Sequence, residues 1–374
     1  MKILIATNSF KNSMSAAKAC YAIKEGLIKN YPNFEYDLCP IGDGGDCTCE
    51  ILTQALSAKL IEVKTKGPLF EDIIGYYGYH EKKKLAIIET ATVAGITLLK
   101  KNQLNPLKTT TYGVGQLIKD AISRGCKTII VGVGGTCTND GGMGFLTSLG
   151  VKFYDKDKKE LLGVGESLSK VNSIDLTNLD EKISNVKIIV ANDVKNPICG
   201  PNGAAYVYAK QKGATKQMIK DLDMGLENFA SVLDKTFNIN SQKIIGGGSG
   251  GGIGLSLKVF LNAKLENGFN VVKRYIGLEK KIKEADLIIT GEGSLDGQTK
   301  QGKGPLGVAK LAKKYDKPVF AVCGKIEKDI SFKEIDKMYS IVEFSKDLDV
   351  SYLIANGYDH LRHASENIKL ELEG

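Results

Sequence analysis

Short apolar segments alternate with longer amphipathic segments along nearly the whole chain. The apolar segments are four to six residues long and are bounded by polar or glycine-rich stretches, a pattern typical of buried strands. The predicted strands are Ile3–Ala6, Tyr36–Cys39, Leu60–Val63, Leu85–Glu89, Thr128–Val133, Val186–Val190, Leu287–Thr290, Val319–Cys323 and Tyr339–Phe344.

The amphipathic segments between these strands predict helices. The predicted helices are Ser15–Lys29, Thr110–Arg124, Thr215–Lys235, Leu306–Tyr315 and Val350–Leu372. Strands that alternate with helices are joined by crossover connections, so the chain is predicted to form a parallel α/β sheet. A length of 374 residues suits two domains better than one.

Residues typical of turns and ligand contacts are concentrated where the predicted strands end. In an open α/β sheet, the carboxyl ends of the strands are where ligands bind. The loops of this kind are Asn8–Ser13, Gly42–Asp46, Gly132–Gly144, Asp193–Gly203 and Gly291–Gly304. A sixth loop, Gly246–Gly254, follows a short predicted strand at Lys243–Ile245. Six such loops predict a large polar cleft.

Composition and charge exclude several classes of function. The net charge of +8 comes from scattered lysines among acidic residues, and the chain has no Trp, which argues against a nucleic-acid surface. The most apolar stretch, Leu85–Leu99, is too short to span a membrane and contains Glu89. The eight cysteines lack the spacing of a zinc site or of a secreted scaffold, and no signal segment precedes the first strand. We therefore expect a cytoplasmic protein.

The glycine-rich loop Gly246–Gly254 is the strongest local signal. Backbone N–H groups without side chains can surround phosphate oxygens, and a following helix adds its positive end. We therefore predict nucleotide-phosphate contacts there, at Gly248, Ser249, Gly250 and Gly251. The run also satisfies the G-x-G-x-x-G pattern of a nicotinamide dinucleotide site, and glycines used only for close packing are the third interpretation.

The stretch from Gly132 to Gly142 follows an apolar strand and offers backbone donors, hydroxyls, an amide and a carboxylate. Its predicted substrate contacts are Thr138, Asn139 and Asp140, although Asp140 could instead cap the next helix. A second glycine-rich stretch, Gly297–Gly304, nearly matches a P-loop. Gly304 stands where that motif needs Ser or Thr, and the preceding strand ends too early, so we reject a P-loop there.

Carboxylates and one lysine in these loops suit phosphoryl transfer. That reaction needs a group to accept or orient the hydroxyl proton, a cation near the phosphates and usually Mg²⁺. Lys11 is the candidate cation. The candidate carboxylates are Asp43, Asp193, Glu292 and Asp296. The three histidines lie outside the glycine loops, so a His-dependent triad or dehydrogenase is hard to build.

Taken together, the loops resemble the bacterial glycerate kinases. The family's D-S-F-K-G-S, A-D-G-G-E-G-T and G-G-S-A-T-N-D-G-G motifs are similar to Asn8–Ser13, Gly42–Thr48 and Gly134–Gly142. Its D-V-T-N-P-L-C-G-P-N-G-A, G-A-A-G-G-L-G and T-G-E-G-R-[IL]-D-x-Q-T motifs are similar to Asp193–Ala204, Gly248–Gly254 and Thr290–Thr299. The six matches occur in the family's order and cover nearly the whole chain.

The resemblance implies a two-domain fold with the active site in the interdomain cleft. A Rossmann- or flavodoxin-like parallel-sheet domain, drawn at residues 1–80 and 276–374, carries a second α/β domain inserted at 81–275. It also implies ATP with Mg²⁺ and D-glycerate as the small-molecule substrates. The favoured product is 2-phosphoglycerate, with 3-phosphoglycerate or a related hydroxy acid as the alternative, and no nucleic-acid or membrane partner is expected.

Roles follow as hypotheses from the resemblance and the chemistry together. The glycerate carboxylate is assigned to the Ser9 and Thr138-Asn139 loops, with Asp43 and Asp140 as further substrate contacts. Asp193 or Asp296 would accept the hydroxyl proton, and Lys11 would neutralise the transferring phosphoryl group. Mg²⁺ is assigned to Glu292 and Asp43.

Some positions depart from the family motifs. Asn8 replaces a carboxylate, Ser294 replaces a frequent arginine, and Lys195 replaces threonine. Asn12 replaces a glycine, which matters less because Asn tolerates left-handed backbone. A nicotinamide-dependent dehydrogenase and a non-catalytic hydroxy-acid sensor remain the alternative functions.

Overall fold

The computed structural model describes residues 1–42, 47–297, 304–344 and 349–370. The strands are β1 (Lys2–Thr7), β2 (Glu35–Leu38), β3 (Lys59–Lys66), β4 (Asp72–His80), β5 (Leu85–Glu89), β6 (Thr128–Gly132), β7 (Lys152–Tyr154), β8 (Ser173–Asp175), β9 (Lys187–Ala191), β10 (Lys264–Glu266), β11 (Leu287–Gly291), β12 (Ser294–Leu295), β13 (Val319–Cys323), β14 (Lys325–Ile326) and β15 (Lys337–Ser340). The α-helices are α1 (Ala16–Asn30), α2 (Thr48–Ala55), α3 (Ala91–Ala94), α4 (Tyr112–Ser123), α5 (Met143–Ser148), α6 (Ala204–Tyr208), α7 (Lys216–Phe237), α8 (Ile253–Leu261), α9 (Gly268–Tyr275), α10 (Leu278–Glu284), α11 (Gly304–Lys313), α12 (Ile341–Phe344), α13 (Val350–Ala355) and α14 (Gly357–Glu366).

The chain divides into two compact units, and the second is inserted in the first. Unit 1 comprises Met1–Asp43 and Phe269–Gly374, and unit 2 comprises Gly44–Gly268. The boundaries drawn from the sequence differ at both ends: residues 269–275 were assigned to the inserted domain but lie in unit 1, and residues 44–80 were assigned to the first domain. These residues group with unit 2 because β3 pairs with β4, and β4 pairs with β5 in the sheet of that unit.

Unit 1 contains a five-stranded parallel sheet in the order β15-β13-β11-β1-β2. Counted along the chain within this unit, the order is 2-1-3-4-5, which is that of flavodoxin-like folds. Apolar side chains from the central strands, among them Ile5, Ile289 and Phe320, form its core with α1 and α14. The predicted flavodoxin-like parallel sheet is therefore confirmed.

Unit 2 contains a six-stranded sheet in the order β10-β9-β6-β5-β4-β3. The first four of these strands run parallel, while β3, β4 and β5 pair antiparallel. The long helix α7 contributes an apolar stripe at helical spacing, Leu222, Leu226, Phe229 and Leu233, all fully buried. Each such side chain contributes about 1.5–3 kcal/mol relative to an exposed position.

Eight of the nine main predicted strands are confirmed to within a few residues. The ninth, at Tyr339–Phe344, is partly wrong, because β15 ends at Ser340 and α12 follows. Ser340 is paired with Cys323, where the neighbouring strand β13 also ends, so the ladder has no further partner.

Two other predictions differ from the structure for local reasons. The predicted helix at Val350–Leu372 is interrupted at Asn356, where a Cβ atom on Gly357 would lie only 2.1 Å from Ser13 Oγ. The predicted strand at Lys243–Ile245 is wrong. That segment forms a 3₁₀ turn closed by the bond from Ile244 N to Ser241 O, 3.1 Å long.

Along the described ranges, no helix combines the length and apolar character needed to cross a bilayer. All eight cysteines carry thiols, and only Cys47 is partly exposed. Burial raises the thiol pKa of the other seven, to about 12 for Cys39 and Cys137 and to about 11 for Cys49. The remaining four with raised pKa values are Cys20, Cys126, Cys199 and Cys323.

These buried thiols predict a loss of stability at alkaline pH. Their unfolded pKa is near 9.0, below the folded values, so the unfolded chain releases protons first and the free energy of unfolding falls as the pH rises above that value. The slope is about 1.4 kcal/mol per pH unit for a fully buried thiol. Urea unfolding in reductant at about pH 7 to 10 measures it. Cys39→Ala should flatten the dependence, and equal slopes for both proteins would contradict this prediction.

Candidate active site

In unit 1, two polar loops meet at the carboxyl edge of the central strands. Thr7 of β1 is paired with Gly291 of β11, and Asn8 N donates to Gly291 O at 2.8 Å. The strand order reverses between β1 and β11, which is where open α/β sheets bind ligands. The loop after β1 contains Ser9 and Lys11, and the loop after β11 contains Glu292 and Asp296.

The loop after β1 is shaped by two asparagines. The side-chain oxygen of Asn8 accepts a bond from Ser9 N at 2.8 Å, so this residue organises the turn even without a carboxylate. Asn12 has a φ of 62°, the left-handed backbone that asparagine tolerates. Lys11 between them is exposed. Its ammonium group is therefore accessible to an anion.

Glu292 lies beside the first turn of α11. A Cβ atom on Gly304, the first residue of that helix, would lie 3.7 Å from Glu292 Oε2 and 3.3 Å from Asn8 Nδ2. The positive end of a helix stabilises a carboxylate at this position. Asp296 follows the short strand β12 and is half-buried. Both are carboxylates of the kind that hold Mg²⁺ together with substrate phosphates.

The other predicted metal contact, Asp43, lies outside the described residues, as do Gly44–Asp46 of the same loop. Among the residues that are described, no group of three or more His, Cys, Asp or Glu side chains has the arrangement of a metal site. Mg²⁺ commonly uses only one or two protein carboxylates, so Glu292 and Asp296 still fit its chemistry.

In unit 2, the loops after β6 and β9 lie next to each other, because Gly132 is paired with Ala191 at the ends of these strands. The segment Thr136–Gly142 after β6 is bonded on one side to the end of α3, where Cys137 N donates to Ala94 O at 2.9 Å. On another side, Gly141 N donates to Gly251 O at 3.0 Å. The segment is therefore fixed by backbone bonds at both of its ends.

Thr138 and Asn139 combine full burial with missing hydrogen bonds. Both residues are 0% exposed. Within the described part of the chain, Thr138 Oγ1 and both polar atoms of the Asn139 amide have no hydrogen-bond partner. A buried polar group without a partner costs about 1–3 kcal/mol, so such groups are rare unless a ligand or water satisfies them. They are the strongest structural indication of a binding site in unit 2.

Asp140 next to them is fully engaged in the protein. Its Oδ2 accepts bonds from Thr111 N and Thr111 Oγ1 at 2.8 and 2.7 Å and from Gly144 N at 3.2 Å, and its Oδ1 accepts from Gly142 N at 3.0 Å. Burial raises the pKa of this carboxyl, and these hydrogen bonds oppose the rise. This geometry matches the interpretation of Asp140 as a cap at the start of α5.

Lys212 is a buried residue that the sequence analysis missed. Its Nζ donates to Thr138 O at 2.5 Å and to Thr136 Oγ1 at 3.2 Å, and only 3% of the residue is exposed. Burial lowers its pKa to about 8. In the sequence, Lys212 is one lysine in a polar stretch. The one local signal is the glycine that follows it, and in the structure this Gly213 has a φ of 94°.

Asp193, the candidate base, lies in the loop after β9. Its Oδ1 accepts bonds from Asn267 Nδ2 at 2.7 Å and from Gly268 N at 3.1 Å. The neighbouring Asn192 side chain donates to Gly246 O at 3.4 Å. The carboxylate of Asp193 is therefore held in a defined orientation, next to the glycine-rich loop.

The glycine-rich loop packs closely against the two other loops of unit 2. A Cβ atom on Gly251 would lie 2.2 Å from Thr138 O, and one on Gly248 would lie 2.2 Å from Pro197 O. Gly248 N donates to Asn196 O, and Ser249 N donates to Gly246 O. These contacts favour close packing as one role of the glycines. The predicted phosphate contacts at Gly248, Ser249, Gly250 and Gly251 stay a prediction.

The dinucleotide interpretation of this loop is disfavoured. A G-x-G-x-x-G site needs a strand directly before the glycines. Here the preceding residues Ser241–Lys243 form a 3₁₀ turn. The loop therefore lacks the strand-turn-helix geometry that places a pyrophosphate at a helix N-terminus.

Close packing of the glycine-rich loop predicts a large effect of Gly251→Ala on stability. The added Cβ would displace Thr138 or Asn139, in addition to the strain of about 1–2 kcal/mol for a left-handed alanine. Gly200→Ala is the matched control, because Gly200 has a φ of 90° and open space around it. Urea unfolding should show a loss larger by at least about 2 kcal/mol for Gly251→Ala. Equal losses would show that the contact with Thr138 is unimportant.

Comparison with known proteins finds full-length relatives. The sequence profile of the glycerate kinase family matches residues 3–373. A glycerate kinase from Bacillus subtilis (strain 168) is 40% identical over 369 residues, covering 98% of this chain and 94% of that protein. A glycerate 2-kinase from Escherichia coli (strain K12) is 38% identical over 375 residues, covering 100% and 98%.

A solved structure has the same fold. The crystal structure of a protein from Salmonella typhimurium LT2, assigned as a glycerate kinase 2, superimposes with a TM-score of 0.84 at 36% identity. The match covers 98% of this chain and 96% of that one. With the family profile, the full-length relatives and the fold in agreement, this chain belongs to the glycerate kinase family.

Proposed function

We propose that this protein transfers the γ-phosphoryl group of ATP to D-glycerate and forms 2-phosphoglycerate. Membership of the family supports a kinase of glycerate, and the name of the Escherichia coli relative supports position 2. The structural observation that carries the proposal is the buried Thr138-Asn139 pair, whose polar atoms lack partners among the described residues. A small, highly polar substrate such as glycerate would supply those partners.

Glycerate is recognised in this proposal through its carboxylate. The Thr138 hydroxyl and the Asn139 amide donate to carboxylate oxygens, and such charge-assisted bonds are stronger than neutral ones. Ser9 adds a third hydroxyl or backbone donor. Asp140 supports the segment from inside through its four hydrogen bonds, and we assign it this supporting role in place of a direct substrate contact.

Phosphoryl transfer then proceeds by in-line displacement. A hydroxyl oxygen of glycerate bonds to the γ-phosphorus of ATP, the bond from that phosphorus to the β–γ bridging oxygen breaks, and ADP leaves. The hydroxyl proton passes to the carboxylate of Asp193 or Asp296. Lys11, with its exposed ammonium group, neutralises negative charge on the transferred group.

Mg²⁺ would be held by Glu292, with Asp43 as the second predicted ligand. When bound, the ion neutralises charge on the nucleotide phosphates. Glu292 is half-buried beside the start of α11, where the positive end of the helix favours a negative charge. The nucleotide phosphates are assigned to Gly248–Gly251. The thiol state of all eight cysteines suits a reducing cytoplasm.

The product decides between the proposed reaction and its alternatives. We expect purified protein with ATP, Mg²⁺ and D-glycerate to give a ³¹P NMR signal of 2-phosphoglycerate that is absent without glycerate. A signal of 3-phosphoglycerate would keep the kinase and correct the position. No glycerate-dependent loss of ATP would contradict the proposal and favour another hydroxy acid or a sensor, with attention to Asn8 and Ser294.

The base is tested by comparing Asp193→Asn with Asp296→Asn. Asparagine keeps an oxygen that accepts the bonds from Asn267 and Gly268, so Asp193→Asn should fold normally. Loss of a general base lowers kcat by about 10²–10⁴-fold. We expect one of the two variants to show such a loss at an unchanged melting temperature. Near-normal kcat in both would contradict the assignment of a carboxylate base to this pair.

A further inference from the structure

Among the described residues, the buried ammonium of Lys212 has no hydrogen bond to a carboxylate, although the charge of the nearby Asp140 partly opposes the lowering of its pKa. Its two hydrogen-bond acceptors are the neutral oxygens Thr138 O and Thr136 Oγ1. Burying an ammonium group in such surroundings is costly, and the lowered pKa of about 8 reflects that cost. A methionine would fill similar volume without this penalty. The lysine is therefore poorly explained by packing alone.

Both acceptors of Lys212 belong to the segment that contains the unpartnered side chains. Thr138 O is the carbonyl of the residue whose hydroxyl lacks a partner within the described ranges, and it is followed directly by Asn139. The same carbonyl is the atom that a Cβ on Gly251 would meet at 2.2 Å. Lys212 and Gly251 therefore converge on one peptide group and leave it little freedom.

The backbone around Lys212 is itself fixed. Lys212 ends a 3₁₀ turn, Lys210–Lys212, in which its N–H donates to Ala209 O at 3.0 Å. Gly213 follows in left-handed backbone and packs against Leu104, where an added Cβ would lie 2.3 Å from the Leu104 carbonyl oxygen. A side chain anchored in this way can transmit its position to the segment that it contacts.

We propose that Lys212 is a positioning residue for glycerate. By bonding to the carbonyl of Thr138 and the hydroxyl of Thr136, it fixes the orientation in which Thr138 and Asn139 present their polar atoms to the substrate carboxylate. This inference rests on the proposed function. It adds a residue that does not itself touch glycerate.

The test compares Lys212→Met with Lys210→Met, which alters an exposed lysine of the same turn. Misorientation of a carboxylate contact weakens ground-state and transition-state binding alike, which raises KM and spares kcat. We expect Lys212→Met to raise KM for glycerate by at least about 10-fold, with kcat and KM for ATP within about 3-fold. Lys210→Met should match the unsubstituted protein.

A second pair tests the other end of the same contact. Thr136→Ser keeps the hydroxyl that accepts from Lys212, whereas Thr136→Val removes it. We expect normal KM for the serine variant and a rise of about 3-fold for the valine variant. In the double variant Lys212→Met/Thr136→Val, KM should not exceed that of Lys212→Met, because both changes remove one interaction.

Three outcomes overturn the inference. Unchanged KM for glycerate in Lys212→Met, with only the melting temperature altered, would make the lysine structural. Equal KM values for Thr136→Ser and Thr136→Val would also make the contact structural. If Lys212→Met does not fold, this comparison alone tests the inference. If the unsubstituted protein phosphorylates glycerate normally, only the inference fails in these cases. If it does not phosphorylate glycerate at all, the proposed function fails and the inference with it.

Discussion

The confinement of the segment Thr136–Gly142 is the constraint on which the candidate site of unit 2 depends. Backbone bonds to Ala94 and Gly251, the ammonium of Lys212 and the donors around Asp140 hold it from several sides. This network holds the main chain and the Asp140 carboxylate in place but leaves Thr138 Oγ1 and the Asn139 amide without partners in the described structure. Polar groups that are fixed in this way and left unsatisfied are preorganised in orientation, so a ligand that reaches them need not reorient them.

In unit 1, strand pairing brings the candidate polar groups together. The pairing of β1 with β11 brings together loops separated by about 280 residues of sequence, since the whole of unit 2 is inserted between β2 and β11. The reversal of strand order at this pair opens a crevice at the carboxyl edge. Ser9, Lys11, Glu292 and Asp296 lie in the two loops at that edge. The candidate cation and the candidate carboxylates of the proposed phosphoryl transfer therefore lie in loops that the topology brings together.

The sequence predicted most of this framework because buried parallel strands are short apolar runs that contrast with their surroundings. The prediction failed where apolar residues stand out less clearly from the polar residues around them. The strand β4, Asp72–His80, was missed because Gly75 and Gly78 interrupt its pattern, although both glycines admit close contacts from Val93 and Thr53. Lys243–Ile245 was predicted as a strand from three residues, too few for periodicity to distinguish a strand from a turn.

The sequence predicted which loops form the candidate site, but it did not predict the contacts that the individual side chains make. Thr138 and Asn139 were identified from their position after an apolar strand, yet Asp140 in the same run proved to be saturated with internal bonds. The sequence of the glycine-rich loop is equally compatible with phosphate binding and with close packing, because only the residues that contact the loop in the fold distinguish the two. Apart from the glycine that follows it, Lys212 has no local signature, since its burial is a property of the fold.

Binding of the substrate carboxylate by the Thr138-Asn139 pair is tested most directly by a crystal structure with D-glycerate. We expect carboxylate oxygens within hydrogen-bond distance, about 2.7–3.2 Å, of Thr138 Oγ1 and of the Asn139 amide. Glycerate bound elsewhere, with an ordered water paired to Asn139 instead, would contradict it.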